Sequence, residues 1–215
     1  MRNFVLASLL ATVSLGVGCS SATDPMNRGT VPTEGNYPLG PYGYAKGSVI
    51  ANLQFQAKID PMGAAGTAAY ADLNTQTVNL SDYYQGNNAD VGWLVLTGAA
   101  GWCGPCREEA QTMPTVSQKW EPMGVRFLTV LIQGFDETNQ TPATPADIDN
   151  WQQKTKEHIA IGTDPKDNLH DFASEIASFP LNMIIRTADM AIIYTALGVD
   201  PNNPSIDPLL SAYVQ

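Results

Sequence analysis

The chain is poor in the residues from which metal and nucleic-acid sites are built. Its 215 residues include 2 histidines and 3 cysteines. A tetrahedral zinc site takes about four ligands, so it would have to gather His158 and His170 with distant cysteines, and no metal is expected. Basic residues are also scarce, with 11 Lys and Arg against 21 Asp and Glu and a net charge of -10. Phosphates are neutralised by clustered Lys and Arg, so neither nucleic acid nor an anionic membrane surface is an expected partner. The charge is spread thinly rather than in runs, the pattern of a solvated surface, and says little about substrate. Long apolar runs are missing too. Phe4 to Val17, behind Arg2, is too short to span a bilayer as a stable anchor and reads as an export signal.

What is present suits one domain with a sizeable core and short extensions. The signal is expected over 1–18, a tether over 19–45 and the domain over 46–215. Leu15-Gly16-Val17-Gly18-Cys19 resembles the bacterial lipobox, with Gly16 where a Leu is usual and Leu15 one place early. That resemblance implies a lipidated Cys19 at the mature N-terminus, and Ser20 after it implies sorting to the outer membrane. Ordinary secretory cleavage is the alternative. In either case the domain works outside the cytoplasm, with the periplasmic side of a bacterial envelope expected, where a dithiol stays reduced only if a donor keeps reducing it. Ser20 to Asn36, rich in Gly, Pro, Ser, Thr and Asn, reads as flexible. The aromatics of Tyr37 to Tyr44 point to packing on the domain surface, with an exposed recognition segment as the alternative.

One stretch asks for a particular chemistry, Trp102-Cys103-Gly104-Pro105-Cys106. Two cysteines three positions apart can close a small disulfide when the second lies one helical turn after the first. At a helix N-terminus, orphan N–H groups and the dipole favour a thiolate on Cys103, drawing its pKa below the usual value of about 8.5. Cys106 is then placed to attack a mixed disulfide and release the product. Pro105 has no N–H to leave unsatisfied, and Gly104 has no side chain to block a partner. A static disulfide and half a zinc site are the alternatives. A bridge closing so short a loop constrains little unfolded-chain entropy. Glu109 stands three residues after Cys106, about 60° round a helix, while Glu108 is turned about 160° away. A carboxylate there can take the Cys106 proton, and partial burial would raise its pKa toward neutrality. Arg107 reads as a solvated helix residue, Met113 and Met183 as core, and His158 and His170 carry no assignment.

Trp102 to Cys106 as it stands is similar to the active-site signature of the thioredoxin superfamily, and Arg107-Glu108-Glu109 resembles the membrane-tethered TlpA/ResA-like branch. The resemblance covers roughly 46–215. It implies an α/β thioredoxin-like fold, a mixed central sheet with helices on both faces, and an N-terminal strand or hairpin extension. It implies a catalytic Cys103, Cys106 and Glu109. It also implies a cis-proline at Pro180 whose preceding backbone binds substrate, with Phe179 where a small or β-branched residue is more usual. Trp102 would shield the pair and contact partners. Thr97 aligns with the acid that ordinary thioredoxins carry on the preceding strand and cannot ionise, which sharpens the expectation for Glu109.

The elements expected along the chain follow that order. A strand is read over 49–55 along a sheet edge, and a short strand from Thr77 turns helical at Ser81. A strand buried on both faces runs over 92–97, with a turn at 98–101. A helix spans 103–120, kinked or ended in its first part by Pro114. A strand over 125–132 precedes a helix over 145–158, capped by Thr144, Pro145 and Asp147. A strand over 159–161, a helix over 168–177, strands over 182–185 and 191–194 pairing antiparallel, and a closing helix to Val214 complete the domain.

The function these features imply is an exported thiol-disulfide oxidoreductase reducing client protein disulfides. Its redox-active disulfide replaces any cofactor, an unidentified thiol supplies electrons, the lipid is its only membrane contact, and it acts as a monomer. Two alternatives stand beside it. A redoxin-type thiol peroxidase wants a Thr or Ser three residues before the reactive cysteine, where Ala100 sits. The other is a copper or haem chaperone; copper chaperones on this fold space their cysteines by three residues and add a histidine, against two here.

Overall fold

The computed structural model describes residues 37–59, 70, 72–169, 178–198 and 206–214. The signal segment, Cys19 and most of the tether, together with 170–177 of the expected helix and His170, lie outside the described residues. Strand β1 is Gln54–Lys58 and β2 is Gln76–Asn79, followed by a 3-10 turn at Leu80–Asp82. Next come β3 Trp93–Ala100, α1 Gly104–Ala110, α2 Met113–Trp120 and β4 Val125–Gln133. Then α3 Pro145–Thr155, β5 Ala160–Thr163, β6 Leu181–Arg186, β7 Ala191–Leu197 and α4 Ile206–Tyr213 follow.

The strands form one mixed sheet in the order β2-β1-β5-β4-β3-β6-β7. Its parallel centre, β3 with β4 and β4 with β5, is flanked by antiparallel pairs on both sides. Side chains alternate across the sheet. Val95, Phe127, Leu131, Ile161 and Ile184 face a core shared with the buried residues of α1 to α4. Leu94, Leu96, Leu128, Val130 and Met183 face a second core, closed among the described residues by Tyr44, Ile50, Leu53, Leu80 and Leu169. Each large apolar side chain fully buried in this way contributes about 1.5–3 kcal/mol. The expected surface packing of the aromatic segment is present: the Tyr37 hydroxyl donates to the Ile50 carbonyl at 2.9 Å and that of Tyr44 to the Asn168 carbonyl at 2.7 Å.

Several boundaries differ from the sequence reading. The strand read over 49–55 begins only at Gln54 and lies inside the sheet, with β2 beyond it at the edge. Val49 instead makes isolated bridges to Tyr42 and to Ala191 on β7. Its alternation marks one buried side, which a loop laid across a sheet shares with a strand. Strand β3 continues through Gly98 to Ala100, where a turn was expected, because β4 supplies partners all the way to Ala100 and β6 as far as Gly98. The helix read over 103–120 is two helices, and Pro114 is the reason. It has no N–H and its ring would meet the carbonyl of Ala110, so α1 ends there and Pro114 serves in the first turn of α2. Helix α3 keeps the expected cap, with the Asp147 carboxylate accepting from Thr144 N–H at 2.7 Å, but ends at Thr155 rather than 158.

Candidate active site

The C-terminal end of β3 delivers the cysteine pair. Gly101 makes the sharp turn there: a Cβ at that position would stand 2.7 Å from the Phe135 ring and 2.9 Å from the Gly134 backbone. Cys103 follows with extended backbone and caps α1, and its Sγ accepts a hydrogen bond from Cys106 N–H at 3.1 Å. The two sulfurs are joined, with Cα atoms 5.3 Å apart, and the residues are 3% and 2% exposed. The open flank is at Gly104, where no atom lies within 4 Å of a built Cβ, and at exposed Pro105. A donor aimed at Sγ favours the thiolate over the thiol. The local design therefore stabilises charge on Cys103 when the bond opens.

Trp102 is half-buried, donating its indole N–H to Gln133 Oε1 at 2.9 Å and meeting the Phe179 ring edge-on at 5.9 Å. Phe179 precedes Pro180 through a cis peptide bond, and β6 starts immediately after. The structure thus brings Phe179 into edge-on contact with Trp102, the residue before Cys103. Arg107 differs from its reading as a solvated residue. It is partly buried and donates through Nη1 to the Gly101 carbonyl at 2.6 Å, fastening α1 to the turn before it.

Glu109 lies one turn after Cys106, on the side of α1 that faces the sheet. Asn182 Nδ2 donates to both of its carboxylate oxygens, at 2.9 and 3.0 Å. Thr97 Oγ1 donates to Asn182 Oδ1 at 2.9 Å, which fixes the amide with its N–H groups toward Glu109. Burial pushes the Glu109 carboxyl up and the Asn182 bond partly opposes it. The result is an acid held near the disulfide helix with raised proton affinity and no bonded cation, suited to taking and returning a proton. Glu108 is exposed, as its helical phase requires.

Asn182 carried no functional reading from the sequence, although it stands two residues after Pro180 and therefore on the same strand face. Gln133 and the buried acid Glu157 were likewise not singled out. Nothing in Lys156-Glu157-His158 marks Glu157 as interior. Met113 and Met183 are core, as read, and no group of three metal-ligating side chains exists among the described residues. A cavity of about 630 Å³ opens at the other end of the parallel strands, lined by Val91, Arg126, Phe127 and Ala160 among others, and shares no residue with the cysteine site.

No protein-family model and no curated protein matches the chain. Solved structures do. A Chlorobium tepidum protein designated thiol:disulfide interchange protein DsbE aligns with TM-score 0.56 and 17% identity over 80% of this chain and 100% of its own. The thioredoxin domain of thiol-disulfide oxidoreductase BVU-2223 from Bacteroides vulgatus aligns with TM-score 0.54 and 14% identity, over 80% and 100%. The fold is thioredoxin-like. A reduced 2-Cys peroxiredoxin from Plasmodium vivax also aligns, with TM-score 0.54 and 10% identity over 79% and 94%. Thioredoxin-like chains therefore include more than one chemistry, and the choice among them rests on the site. On this thioredoxin-like chain the cysteine pair sits between the half-buried Trp102 and the raised carboxyl of Glu109.

Proposed function

We propose that this chain is an exported thiol-disulfide oxidoreductase that reduces disulfides in client proteins. The observation that carries the reading is the joined Cys103 and Cys106 at the start of α1, with the Cys103 sulfur on a backbone donor and Glu109 one turn further on. The names of the DsbE and BVU-2223 neighbours support the same chemistry.

In the reduced enzyme the Cys103 thiolate attacks one sulfur of a client disulfide. A Cys103–client bond forms, the client bond breaks, and the leaving client thiolate departs. Cys106 then attacks the Cys103 sulfur while its proton passes to the Glu109 carboxylate. The Cys103–Cys106 bond forms and the second client thiolate leaves, taking up that proton. Two electrons have moved from the enzyme dithiol to the client, and an external thiol donor restores the dithiol. Phe179 and Pro180 would supply the backbone on which a client strand lies, with Trp102 as the apolar contact. Arg2 and Phe4 to Val17 support export, and Leu15 to Cys19 support a lipid on Cys19 that holds the domain at the outer membrane. The protein acts as a monomer with the disulfide as its only redox group.

The test is insulin-disulfide reduction by the reduced protein. Cys103→Ser is expected to abolish turnover, and Cys106→Ser to accumulate a mixed disulfide that releases on added dithiothreitol. Turnover retained by both variants would remove the proposal. Faster reaction with hydroperoxide than with insulin would move the assignment to the peroxidase class.

A further inference from the structure

One buried carboxyl has no part in the cycle above. Glu157 is 1% exposed and follows Lys156, whose φ of 63° turns the chain inward at the end of α3. Lysine seldom holds that left-handed conformation, and here it delivers an acid to the interior. Trp151 Nε1–H donates to Glu157 Oε2 at 2.6 Å, and Thr129 Oγ1–H donates to Oε1 at 3.2 Å. Both partners are neutral. A buried carboxyl without a cation is held in its protonated form, and burial pushes this one up to about 8, with the charge on Glu109 adding to the rise.

Thr129 links Glu157 to the cysteine site. It pairs with Thr97 on β3, and Thr97 pairs with Asn182 on β6. These residues lie in phase with Val95, Phe127 and Ile184 and so point to the face that carries α1. A row of polar side chains therefore crosses three strands, with Glu109 at one end and Glu157 at the other. The strands that anchor the two acids are two spacings apart, ~10 Å. Other groups surround the row, Tyr70 buried in the same core among them. Helix α1 presents Cys103 and Cys106, with Glu108 exposed and Arg107 bound to the Gly101 carbonyl. Helix α3 presents uncharged Gln152, bonded to the Glu157 carbonyl. Lys58 on β1 is paired with Asp149, and half-buried His158 is next in the chain.

We propose that Glu109 and Glu157 act as one coupled carboxyl pair across this row, in which Glu157 is a positioning residue: in alkaline solution, where it can ionise, it binds and releases a proton in step with the redox state of Cys103 and Cys106, and its charge there sets how firmly Glu109 holds the proton received from Cys106. The inference rests on the proposed dithiol cycle. Opening the disulfide takes two electrons from the external thiol donor, which is oxidised. It also takes two protons when both sulfurs become thiols. Where Cys103 stays a thiolate, one of those protons resides in the carboxyl row, and the negative charge on sulfur is what draws it there. Interacting sites of this kind titrate as a pair.

The experiment is a titration of the full folded protein carrying carboxyl-13C glutamate, oxidised and reduced, between pH 5 and 10. Glu157 is expected to titrate at higher pH in the reduced state. Glu109→Gln should make Glu157 more acidic on the order of tenfold, the effect of removing one charge at that separation with an effective dielectric near ~20. An identical Glu157 titration in both redox states, unmoved by Glu109→Gln, overturns the inference and leaves a buried structural acid. A second readout is the reduction potential against pH for wild type and Glu157→Gln. Above pH 8 the wild type should bind up to one more proton on reduction, a tenfold change per pH unit or ~30 mV. Parallel lines would overturn the inference as well. Insulin reduction reads the proposed function separately: a protein that shows both titration shifts yet reduces no insulin upholds the coupling and removes the function.

Discussion

Glu157→Gln is the perturbation that most directly tests how the buried acid ties stability to pH. Glutamine keeps the length and planarity of the side chain, so Trp151 Nε1–H still finds an oxygen and the Thr129 hydroxyl can accept where it now donates. What changes is the proton. The folded carboxyl is raised from 4.5 to about 8, whereas in the unfolded chain it ionises near 4.5. Between those two values the unfolded state binds fewer protons than the folded state, so rising pH favours unfolding. The contribution is therefore complete below about pH 4.5, falls as pH rises toward 8, and is constant above. The interval is roughly 3.5 decades of proton activity at about 1.4 kcal/mol each, which gives at most about 5 kcal/mol. Water penetration and local relaxation reduce this toward a few kcal/mol, still a large share of the 5–15 kcal/mol that holds a domain together. The assay is urea unfolding of the oxidised protein at intervals from pH 4.5 to 9, for wild type and variant. Taking the difference cancels the other titrating groups, among them Asp136, Asp189 and Asp207, whose carboxyls are held below the usual range by their hydrogen bonds. The wild type should lose stability relative to Glu157→Gln between pH 5 and 8 and then stay level. Two curves of the same shape over that interval would refute the reasoning.

Three further predictions concern the cysteine site. Glu109→Gln should slow release of a client from its mixed disulfide on the order of 10²-fold at pH 7, the usual loss on removing a general base; stopped-flow release rates equal to wild type from pH 6 to 9 would count against that role. Asn182→Leu removes the donor that opposes the upward push of burial on Glu109, so the pH at which release becomes fast should move up, seen as an alkaline shift of the rate profile. Gly101→Ala forces a methyl against the Phe135 ring and the Gly134 backbone, with an expected cost of about 1–3 kcal/mol, read as a lower unfolding midpoint and slower insulin reduction from a displaced Cys103.

Much of the site was legible because its members lie close along the chain. Cys103, Cys106 and Glu109 fall within seven positions, and a helical repeat is enough to put the sulfur-bearing turn and the acid on one side. The split at Pro114 was legible as well, since a missing N–H ends a helix wherever it occurs. Arg107 was misread because its partner is a backbone carbonyl, which no side-chain pattern advertises. The strand over 49–55 was displaced because alternation records which side is buried, and only the neighbouring chain decides whether that side belongs to a paired strand.

The sequence by itself determined the thiol pair, its place at a helix start, the order of strands and helices, and the acid one turn beyond. These depend on local sterics, capping and spacing, which act over a few residues. Tertiary structure alone decided that Asn182 grips Glu109, that Thr97 orients Asn182, and that Glu157 ends up inside at the far end of the same row. Those contacts join residues 28 to 85 positions apart, brought together by sheet register. Whether a glutamate is solvated or carries a proton at neutral pH depends on what surrounds it in space, and its neighbours in the chain carry no record of that.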